Sequence, residues 1–426
     1  MEAAALHNSA RDARRLVRTL ALPTFGLALA MSVLTTYAPV LLGKSTESGT
    51  AIGLVIGGEG LFALFVPVLI GSLSDRTASR RFGRRLPYAI FAVPLLVVPL
   101  VAIPFSESYA TTVAFVSLFF IGYFVYYPPY QALFADLVPV ADQGRAQSLQ
   151  GVMRGLGLGG ALVGGGLLLS VWAPLPFILG AAAIVLATAA LVHGVRPDAH
   201  ERPRAPASRG PALRTLVRDH PELRAFMVAN ALWEFSFMGL KTFIVLYVVK
   251  GLGESIAMAT AVIGGVAVVY VVVAAGSGWL SDRIGVLRLL RVSAWIYGAG
   301  LIFAGTMDST GPLLVGLPFV AFAGAILMTL PYGLLMKLTP PGVEGAVSGL
   351  FNVSRAVGVI LGPIVVGAAI DLAEPLFAST AGYGAMWIAV GVPIVLSLTF
   401  LPALAGNDEP VAAPTQAAYD ELALSA

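Results

Sequence analysis

The sequence contains no cysteine and only four histidines in its 426 residues. Disulfide bonds, thiolate metal sites and cysteine nucleophiles are therefore excluded. The histidines lie in predicted termini or loops, and no two of them have the spacing of metal ligands on one helix. Walker Gly-x-x-x-x-Gly-Lys-Ser/Thr and His-Glu-x-x-His motifs are also missing, so ATP-driven and zinc-dependent chemistry have no support. We predict no catalytic residue, no metal site and no cofactor, and hence a protein that is not an enzyme.

Charged residues are scarce as well. They make up 12% of the chain, whereas a soluble domain has roughly 25%. Hydrophobic residues make up 58%, and the mean hydropathy is +0.86. This composition predicts an all-α integral membrane protein. The net charge of +3 comes from basic residues in short segments between apolar runs, which is the pattern of a membrane topology and not of nucleic-acid binding.

Long apolar runs, in contrast, are plentiful. A membrane-spanning helix needs about 20 predominantly apolar residues. We predict twelve such spans, at residues 20–42, 50–72, 87–105, 110–134, 145–170, 174–194, 224–249, 257–280, 289–307, 312–337, 344–370 and 381–402. The polar segment 195–220, rich in Pro, Arg and Ala, is the predicted linker between a six-helix half at 1–194 and another at 221–402. Residues 403–426 form a predicted polar tail.

The basic residues predict the orientation of the spans. With an even number of spans, both termini and the linker lie on one side, which we call the linker face; the opposite side is the far face. All but five of the 26 Lys and Arg residues fall on the predicted linker face. Lys44 and Lys250 are predicted on the far face, and the other three lie inside spans. The positive-inside bias therefore predicts a multi-pass protein of the cell membrane with both termini in the cytoplasm.

Three short motifs recur in the two halves at offsets of 201 to 207 residues. They are Gly71-Ser-Leu-Ser-Asp75-Arg76 with Gly278-Trp-Leu-Ser-Asp282-Arg283, Pro129-Tyr130 with Pro331-Tyr332, and Arg154-Gly-Leu-Gly157 with Arg355-Ala-Val-Gly358. Nearly constant offsets indicate an internal repeat of six helices. In such architectures the substrate site lies between the halves, near the middle of the membrane.

The loop between the second and third spans resembles the signature of the major facilitator superfamily. Residues 71–81 match its Gly-x-Leu-x-Asp-Arg-x-x-x-Arg-Arg pattern at every fixed position, and the shorter copy at 278–288 lies where the superfamily has its second copy. The resemblance covers about 20–402. It implies the major facilitator fold of two pseudo-symmetric six-helix halves, transport of a small-molecule substrate by alternating access, and no nucleic-acid partner. We expect a monomer whose other contacts are with membrane lipid.

A finer resemblance concerns the solute. Ser74-Asp75-Arg76, the following Gly83-Arg84-Arg85-x-Pro87 and the segment 130–137 resemble sucrose–proton symporters and the glycoside-pentoside-hexuronide group. This sequence has Gln131 where that pattern has arginine. Drug–proton antiporters of the superfamily are the alternative, but their fifth-span Gly-Pro motif is found here in the eleventh span, at Gly362-Pro363. The first expectation is symport of a sugar or glycoside with protons, driven by the proton gradient, and the second is proton-coupled efflux of a lipophilic compound.

Two interpretations of the basic loop remain open. Its arginines can bind lipid headgroups and fix the topology. Alternatively, the loop is a latch that holds the linker face closed, with Asp75 at the N-terminal end of the helix beginning near 341–342 and with Arg80 or Arg81 bound to Asp136. We predict a gating role for Gly71, Asp75, Arg76, Arg80, Arg81, Asp136, Gly278, Asp282 and Arg283.

Five ionisable residues lie deep within predicted spans, where each costs about 2.5–3.5 kcal/mol and is a functional candidate. Glu59 is either a proton carrier or a buried carboxyl bonded to a neighbouring backbone. Glu234 and Lys241, seven residues apart and so on one helix face, either exchange protons or form a stabilising pair. Arg154 and Arg355 occupy matching positions. They either hold an anionic substrate or serve a structural role, such as pairing with Glu59 or Glu234.

Polar and aromatic residues near these charges are candidate substrate contacts. Asn230 lies one turn before Glu234, and Trp233 is adjacent to it. Tyr126, Tyr127 and Tyr130 flank a pair of prolines in the fourth span. Aromatic faces stack on sugar rings, although most aromatic residues in a helical bundle are packing residues. We therefore predict Asn230, Trp233, the three tyrosines and the two arginines as substrate-binding residues, and Glu59, Glu234 and Lys241 as proton-coupling residues.

Overall fold

The computed structural model describes residues 2–77, 82–138, 143–195, 217–307, 309–340 and 343–407. The helices are α1 Glu2–Leu42, α2 Gly49–Arg76, α3 Leu86–Ala102, α4 Tyr109–Leu137, α5 Gln143–Gly159, α6 Gly165–Val171, α7 Leu175–Gly194, α8 Pro221–Leu246, α9 Ile256–Ile284, α10 Val286–Ala304, α11 Thr310–Thr329, α12 Pro331–Leu338, α13 Glu344–Ala373 and α14 Ala385–Ser397. Together α5 and α6 form the fifth span, and α11 and α12 the tenth. The described part of the predicted linker is its two ends, and that of the tail stops at Asn407.

The predicted all-helical membrane fold is confirmed. Within the described residues, eleven helical stretches are long and apolar enough to cross a membrane. The twelfth predicted span, 381–402, is shorter than expected, because its regular helix α14 has 13 residues and continues into turns and a 3₁₀ helix at Leu401–Asn407. The structure also differs at the start, since α1 extends well before the predicted first span.

Serine side chains begin three of the helices at the far face. Ser48, Ser108 and Ser255 precede α2, α4 and α9, and each side chain accepts a hydrogen bond from a backbone N–H three residues later. Such N-caps satisfy donors that a helix start leaves without a partner. Two spans contain π-helical turns, Gly160–Gly164 in the fifth and Tyr247–Gly251 at the end of α8. The tenth span breaks just before Pro331, which cannot continue a regular helix.

The two halves meet mainly along two helix pairs, with a further contact between α1 and α8. Helix α2 packs along α13, and the fifth span packs against α9. Glycines make the first contact close: a Cβ built on Gly57 would lie 2.6 Å from the Ile360 carbonyl oxygen, and one on Gly60 would lie 2.9 Å from that of Ala356. Helices in a membrane approach this closely only where side chains are small.

Hydrogen bonds between the halves lie at the far face. The Asp371 carboxylate of α13 accepts from the N-terminal turn of α2, at 2.6 Å from the Gly49 nitrogen, 2.8 Å from Ser48 Oγ, and 2.9 and 2.7 Å from Thr50 N and Oγ1. Lys250 Nζ donates to the Gly43 carbonyl at 2.7 Å. Among the described residues no hydrogen bond or ion pair joins the halves at the linker face. These hydrogen bonds close the far face, and we interpret the conformation as one that is open at the linker face.

Candidate functional site

Four of the five intramembrane charges meet between the halves. Arg355 of α13 and Glu234 of α8 form an ion pair, with 3.4 Å between Arg355 Nε and Glu234 Oε1. This is one of the pairings that the sequence offers for Arg355. Glu59 of α2 and Lys241 of α8 lie close enough to this pair for all four charges to interact. The Arg355 side chain is 55% exposed and that of Glu234 is 23% exposed, so both face open space inside the bundle.

Glu59 and Lys241 form a second, looser pair across the two halves. Each is the strongest charged neighbour of the other. Neither makes a hydrogen bond or an ion pair within 4 Å in the part of the chain that is described. Both side chains are partly accessible, although protein surrounds them on all sides. A carboxylate and an ammonium that face a shared cavity without direct contact leave room for water, a proton or a solute between them.

Local sequence explains why the pairs form separate layers. Glu234 and Lys241 are seven residues apart on α8, which puts them on one face and about 10 Å apart along the axis. Lys241 is nearer the far face. Glu59 lies between glycines at 58 and 60, and Gly60 packs on Ala356 next to Arg355. The close approach of α2 and α13 thus brings a carboxylate of the first half to the charges of the second.

Arg154 lies across the cavity, in a polar cluster on the first half. Its Nη2 donates to the Tyr127 hydroxyl at 3.1 Å, and that hydroxyl also accepts from Gln131 Nε2 at 2.6 Å. Gln150 donates to Gln131 at 2.9 Å. Tyr123 stacks on Tyr127 with ring centroids 5.5 Å apart and planes 11° from parallel. The result is a wall of amide, hydroxyl and guanidinium groups beside two aromatic faces.

Sequence reasoning missed three members of this wall: Tyr123, Gln131 and Gln150. Tyr123 interacts electrostatically with Arg154, Arg355 and Glu59, which come from both halves. Its spacing of four residues from Tyr127 was a usable signal, because residues so spaced share a helix face. No sequence pattern pairs Gln131 with Gln150, since they lie on different helices.

The other predicted tyrosines point into the first half. Tyr126 is fully buried, and its hydroxyl lies 2.9 Å from Thr188 Oγ1. Tyr130 is fully buried as well, with its hydroxyl 2.6 Å from both Thr24 Oγ1 and the Leu20 carbonyl. Neither lines the cavity in this conformation. Their role as substrate contacts stays a prediction.

Asn230 and Trp233 border a small cavity inside the second half. Its volume is about 60 Å³, and Glu234, Phe237, Tyr332 and Phe351 also line it. Trp233 is 1% exposed and donates to Ser397 Oγ at 2.9 Å, while Asn230 donates to Ser354 Oγ at 2.8 Å. Both side chains are thus held by the second half, with Glu234 between the small cavity and the main one.

The structure describes part of the predicted gate. Asp136 binds Arg85, with 3.2 Å to its Nε, and Arg84, with 3.6 Å to its Nη2. Arg85 is 2% exposed and donates to Ser74 Oγ at 2.7 Å, which ties the loop to α2 and α4. Arg80 and Arg81, the partners predicted for Asp136, lie outside the described residues, as do the Asp75 side chain and residues 341–342. The contact between Asp75 and the eleventh span stays a prediction.

The second copy of the motif shows no latch contact in this conformation. Asp282 is exposed, and the Arg283 guanidinium lies 4.2 Å from the centroid of the Trp279 ring, in a cation–π contact within its own helix. A Cβ built on Gly71 or Gly278 would meet no atom within 4 Å. Arg76 is exposed too. These positions have no partner from the other half among the described residues, in keeping with an open linker face.

Comparison with known proteins identifies the family. The sequence profile of the Major Facilitator Superfamily matches residues 20–363. The chain belongs to this superfamily. Its fold is similar to a bacterial homologue of the human lysosomal transporter Spinster, in an inward-facing and unoccupied conformation, with a TM-score of 0.78, 17% identity and coverage of 94% of this chain and 99% of that one. It is also similar to the nucleoside transporter NupG, with a TM-score of 0.70, 14% identity and coverage of 91% and 98%.

Similarity in sequence to a curated protein covers a shorter part of the chain. A putative multidrug resistance protein, MdtD, of Klebsiella pneumoniae (strain 342) is 26% identical over 125 residues. That match covers 29% of this chain and 26% of MdtD, so the chain matches about a quarter of the relative's length.

Membership of the Major Facilitator Superfamily gives the charge cluster its context. The chain has the alternating-access fold of this superfamily, and in such folds solutes bind near the midplane, between the halves. Glu59, Lys241, Glu234, Arg355 and Arg154 lie there and come from both halves. The cluster is therefore the candidate site for solute and coupling ion.

Proposed function

We propose that the protein is a proton-coupled symporter of a small polar solute of the sugar or glycoside class. The observation that carries this proposal is the pair of Glu59 and Lys241, one from each half, which face the cavity without direct contact. A carboxylate in such a place gains or loses a proton as access alternates. Its attraction to Lys241 changes with each proton, and so does the balance between the two states of the transporter.

The wall around Arg154 supports a polar, hydroxyl-rich solute. Amide and hydroxyl groups of Gln131, Gln150 and Tyr127 hydrogen-bond to one another. Gln131 and Tyr127 are partly exposed and can exchange these bonds for bonds to solute hydroxyls, whereas Gln150 is buried. Tyr123 and Tyr127 add flat faces against which a sugar ring can lie. An apolar cargo would cover the Arg154 donors that have no hydrogen-bond partner among the described residues, at a cost of about 1–3 kcal/mol each.

The direction of transport follows from the proposed orientation of the protein in the membrane. With the linker face in the cytoplasm, the conformation described is open to the cytoplasm and closed to the outside. Solute and proton would enter together when the far face is open and leave from this conformation. We propose that the protein works in the cell membrane as a monomer and uses the proton gradient as its energy source.

Proton-coupled efflux of a lipophilic compound is the second candidate. The similarity to MdtD favours it, as does the small cavity beside Glu234, which is lined largely by apolar and aromatic side chains, among them Phe237, Leu327 and Met328. An apolar group in this cavity would lie next to an acidic residue. This arrangement suits a lipophilic cation.

Transport in proteoliposomes separates the two candidates. Vesicles with an imposed inward proton gradient are given labelled sugars and glycosides, and matched vesicles are loaded with a fluorescent lipophilic cation. We expect sugar or glycoside accumulation that an uncoupler abolishes. Proton-driven expulsion of the dye without uptake of any sugar would instead establish the efflux candidate.

A further inference from the structure

We infer that the transported solute carries a carboxylate, which Arg154 and Arg355 bind from opposite halves of the protein. This inference rests on the proposed symport and narrows the class of its solute from polar to anionic. It concerns one site, the space bounded by the two arginines and Tyr123.

The first observation concerns the partners of Arg154. Its side chain has one hydrogen bond, to the Tyr127 hydroxyl, and no carboxylate lies within ion-pair distance of it among the described residues. The Tyr127 hydroxyl orients the guanidinium but does not neutralise it. A cation deep in a membrane protein is expensive without a counter-charge and marks a binding pathway. A solute anion would supply the missing charge.

The second observation concerns the ion pair and the exposure of Arg355. Its ion pair with Glu234 uses Nε, and the side chain is more than half exposed to the cavity. A guanidinium has five N–H donors in a planar fork, and carboxylates bind to such a fork through two oxygens. The terminal nitrogens of Arg355 have no other partner among the described residues, so they can bind a second carboxylate while Glu234 holds the side chain in place.

The two arginines are placed as a matched pair. Arg154 follows the first residue of α5 by eleven positions, and Arg355 follows the first residue of α13 by eleven. Both helices begin at the linker face, so both side chains leave their helices at a depth of about 16 Å. Both interact electrostatically with Tyr123, which stacks on Tyr127, the hydrogen-bond partner of Arg154.

The net charge of the cluster links anion binding to proton binding. With all groups ionised, Arg154, Lys241 and Arg355 exceed Glu59 and Glu234 by one positive charge. Tyr123 is the other titratable group that faces Glu59. A proton on Glu59 raises the excess to two, and a bound monoanion returns it to one. Anion and proton therefore favour each other's binding, and their joint transport moves no net charge.

Binding is tested with pairs of compounds that differ in one carboxylate. Purified protein is mixed with methyl β-D-glucuronide, glucuronate, gluconate or lactate, and separately with their neutral counterparts methyl β-D-glucoside, glucose, glucitol and propane-1,2-diol, and thermal unfolding is followed. We expect a carboxylate to stabilise the protein and its neutral counterpart to have no effect. Stabilisation by the neutral compounds alone or equally, or by none of the carboxylates, would overturn the inference.

Variants assign the effect to the arginines. We expect Arg154→Gln and Arg355→Gln each to weaken carboxylate binding about tenfold or more, because each removes a charged hydrogen bond. Arg154→Lys keeps the charge and should retain part of the affinity. The matched control is Arg218→Gln, an exposed arginine outside the spans. Unchanged affinity in both glutamine variants, with a normal gel-filtration profile, would contradict the assignment.

A membrane potential distinguishes failure of this inference from failure of the proposed symport. Uptake of the stabilising carboxylate is measured under a proton gradient, with and without a potassium–valinomycin potential that is negative inside. Anion–proton symport should respond to the proton gradient and not to the potential. Uptake of the neutral counterpart instead of the carboxylate, stimulated by the potential, would keep the symport and refute the anionic solute, whereas no response of either compound to either force would refute the symport.

Discussion

Glu59 and Lys241 illustrate how much depends on a single side chain in this protein. They belong to different halves, and each is the charged group that most affects the other. Most ion pairs in a folded protein join groups whose distance is fixed. Here the two groups belong to different halves, so in the proposed mechanism their distance changes as the halves move, and protonation of one residue shifts the conformational equilibrium.

Replacing Glu59 by glutamine removes the proposed proton carrier and keeps its size. We expect Glu59→Gln to lose accumulation driven by a proton gradient while it still exchanges labelled for unlabelled solute, because exchange needs no net proton movement. Counterflow and gradient-driven uptake in the same vesicles measure the two activities. Glu107→Gln, in an exposed far-face loop, is the control. Normal accumulation by Glu59→Gln would exclude this residue as the carrier.

A double-mutant cycle measures the coupling between Glu59 and Lys241. Lys241→Gln leaves Glu59 with fewer cations nearby, so we expect it to destabilise the protein. Adding Glu59→Gln should recover part of the loss, with an interaction energy of about 0.5–3 kcal/mol. Thermal unfolding of the four proteins in one detergent gives the value. Strictly additive effects would mean that the two charges do not interact.

At the level of helices, the contact between α2 and α13 depends on which glycines face the partner. Gly57 and Gly58 are neighbours in sequence, but a Cβ on Gly57 would lie 2.6 Å from the Ile360 carbonyl oxygen, whereas one on Gly58 would meet no atom within 4 Å. The first glycine is needed for packing, and the second is not.

This difference gives a matched pair of substitutions. Gly57→Ala should force α2 and α13 apart, loosen the far-face closure and reduce transport. Gly58→Ala should leave transport unchanged and stabilise the helix by up to about 1 kcal/mol. Uptake and thermal unfolding of both variants provide the comparison. The packing argument fails if Gly58→Ala is the more damaging of the two.

At the scale of the whole molecule, Asp371 joins the two halves at the far face. Its carboxylate accepts four hydrogen bonds from the start of α2. A negative charge at a helix N-terminus is favourable for electrostatic reasons as well. At the linker face, the proposed contact of Asp75 with the start of α13 would join the same two helices at their other ends. The two contacts would then alternate during transport.

Asp371→Asn should weaken the far-face contact and shift the protein towards the state that is open there. Because the chain has no cysteine, spin labels can be attached at Lys44→Cys and Glu374→Cys alone. Both positions are exposed at the far face, one in each half. We expect electron–electron distance measurements to give a longer distance in the Asn variant. An unchanged distance distribution would show that Asp371 does not hold the face closed.

Hydropathy predicted the spans, and the loop motif at 71–81 with its copy at 278–288 predicted the superfamily, because each of these is a property of the chain read in order. The inter-half contacts depend on the rotation of each helix about its axis, which hydropathy does not report. Thus Glu59, Glu234, Lys241 and Arg355 were identified as candidates, but the partner of each was left open. Asp371 was missed because it lies one residue beyond the predicted eleventh span; an acid there, facing a Ser-Gly-Thr helix start, was the available signal.

The glycine contact on α2 also divides the helix unequally. From Gly57 to Gly49 is about 12 Å along the axis, and from Gly57 to Arg76 it is about 28 Å. If the halves rock about this contact, it acts as the fulcrum of a lever whose linker arm is more than twice as long as its far arm. A tilt of about 10° would move the far end by roughly 2 Å and the linker end by roughly 5 Å. The two entrances should therefore differ in width, with a narrow slit on one side of the membrane and a broad funnel on the other.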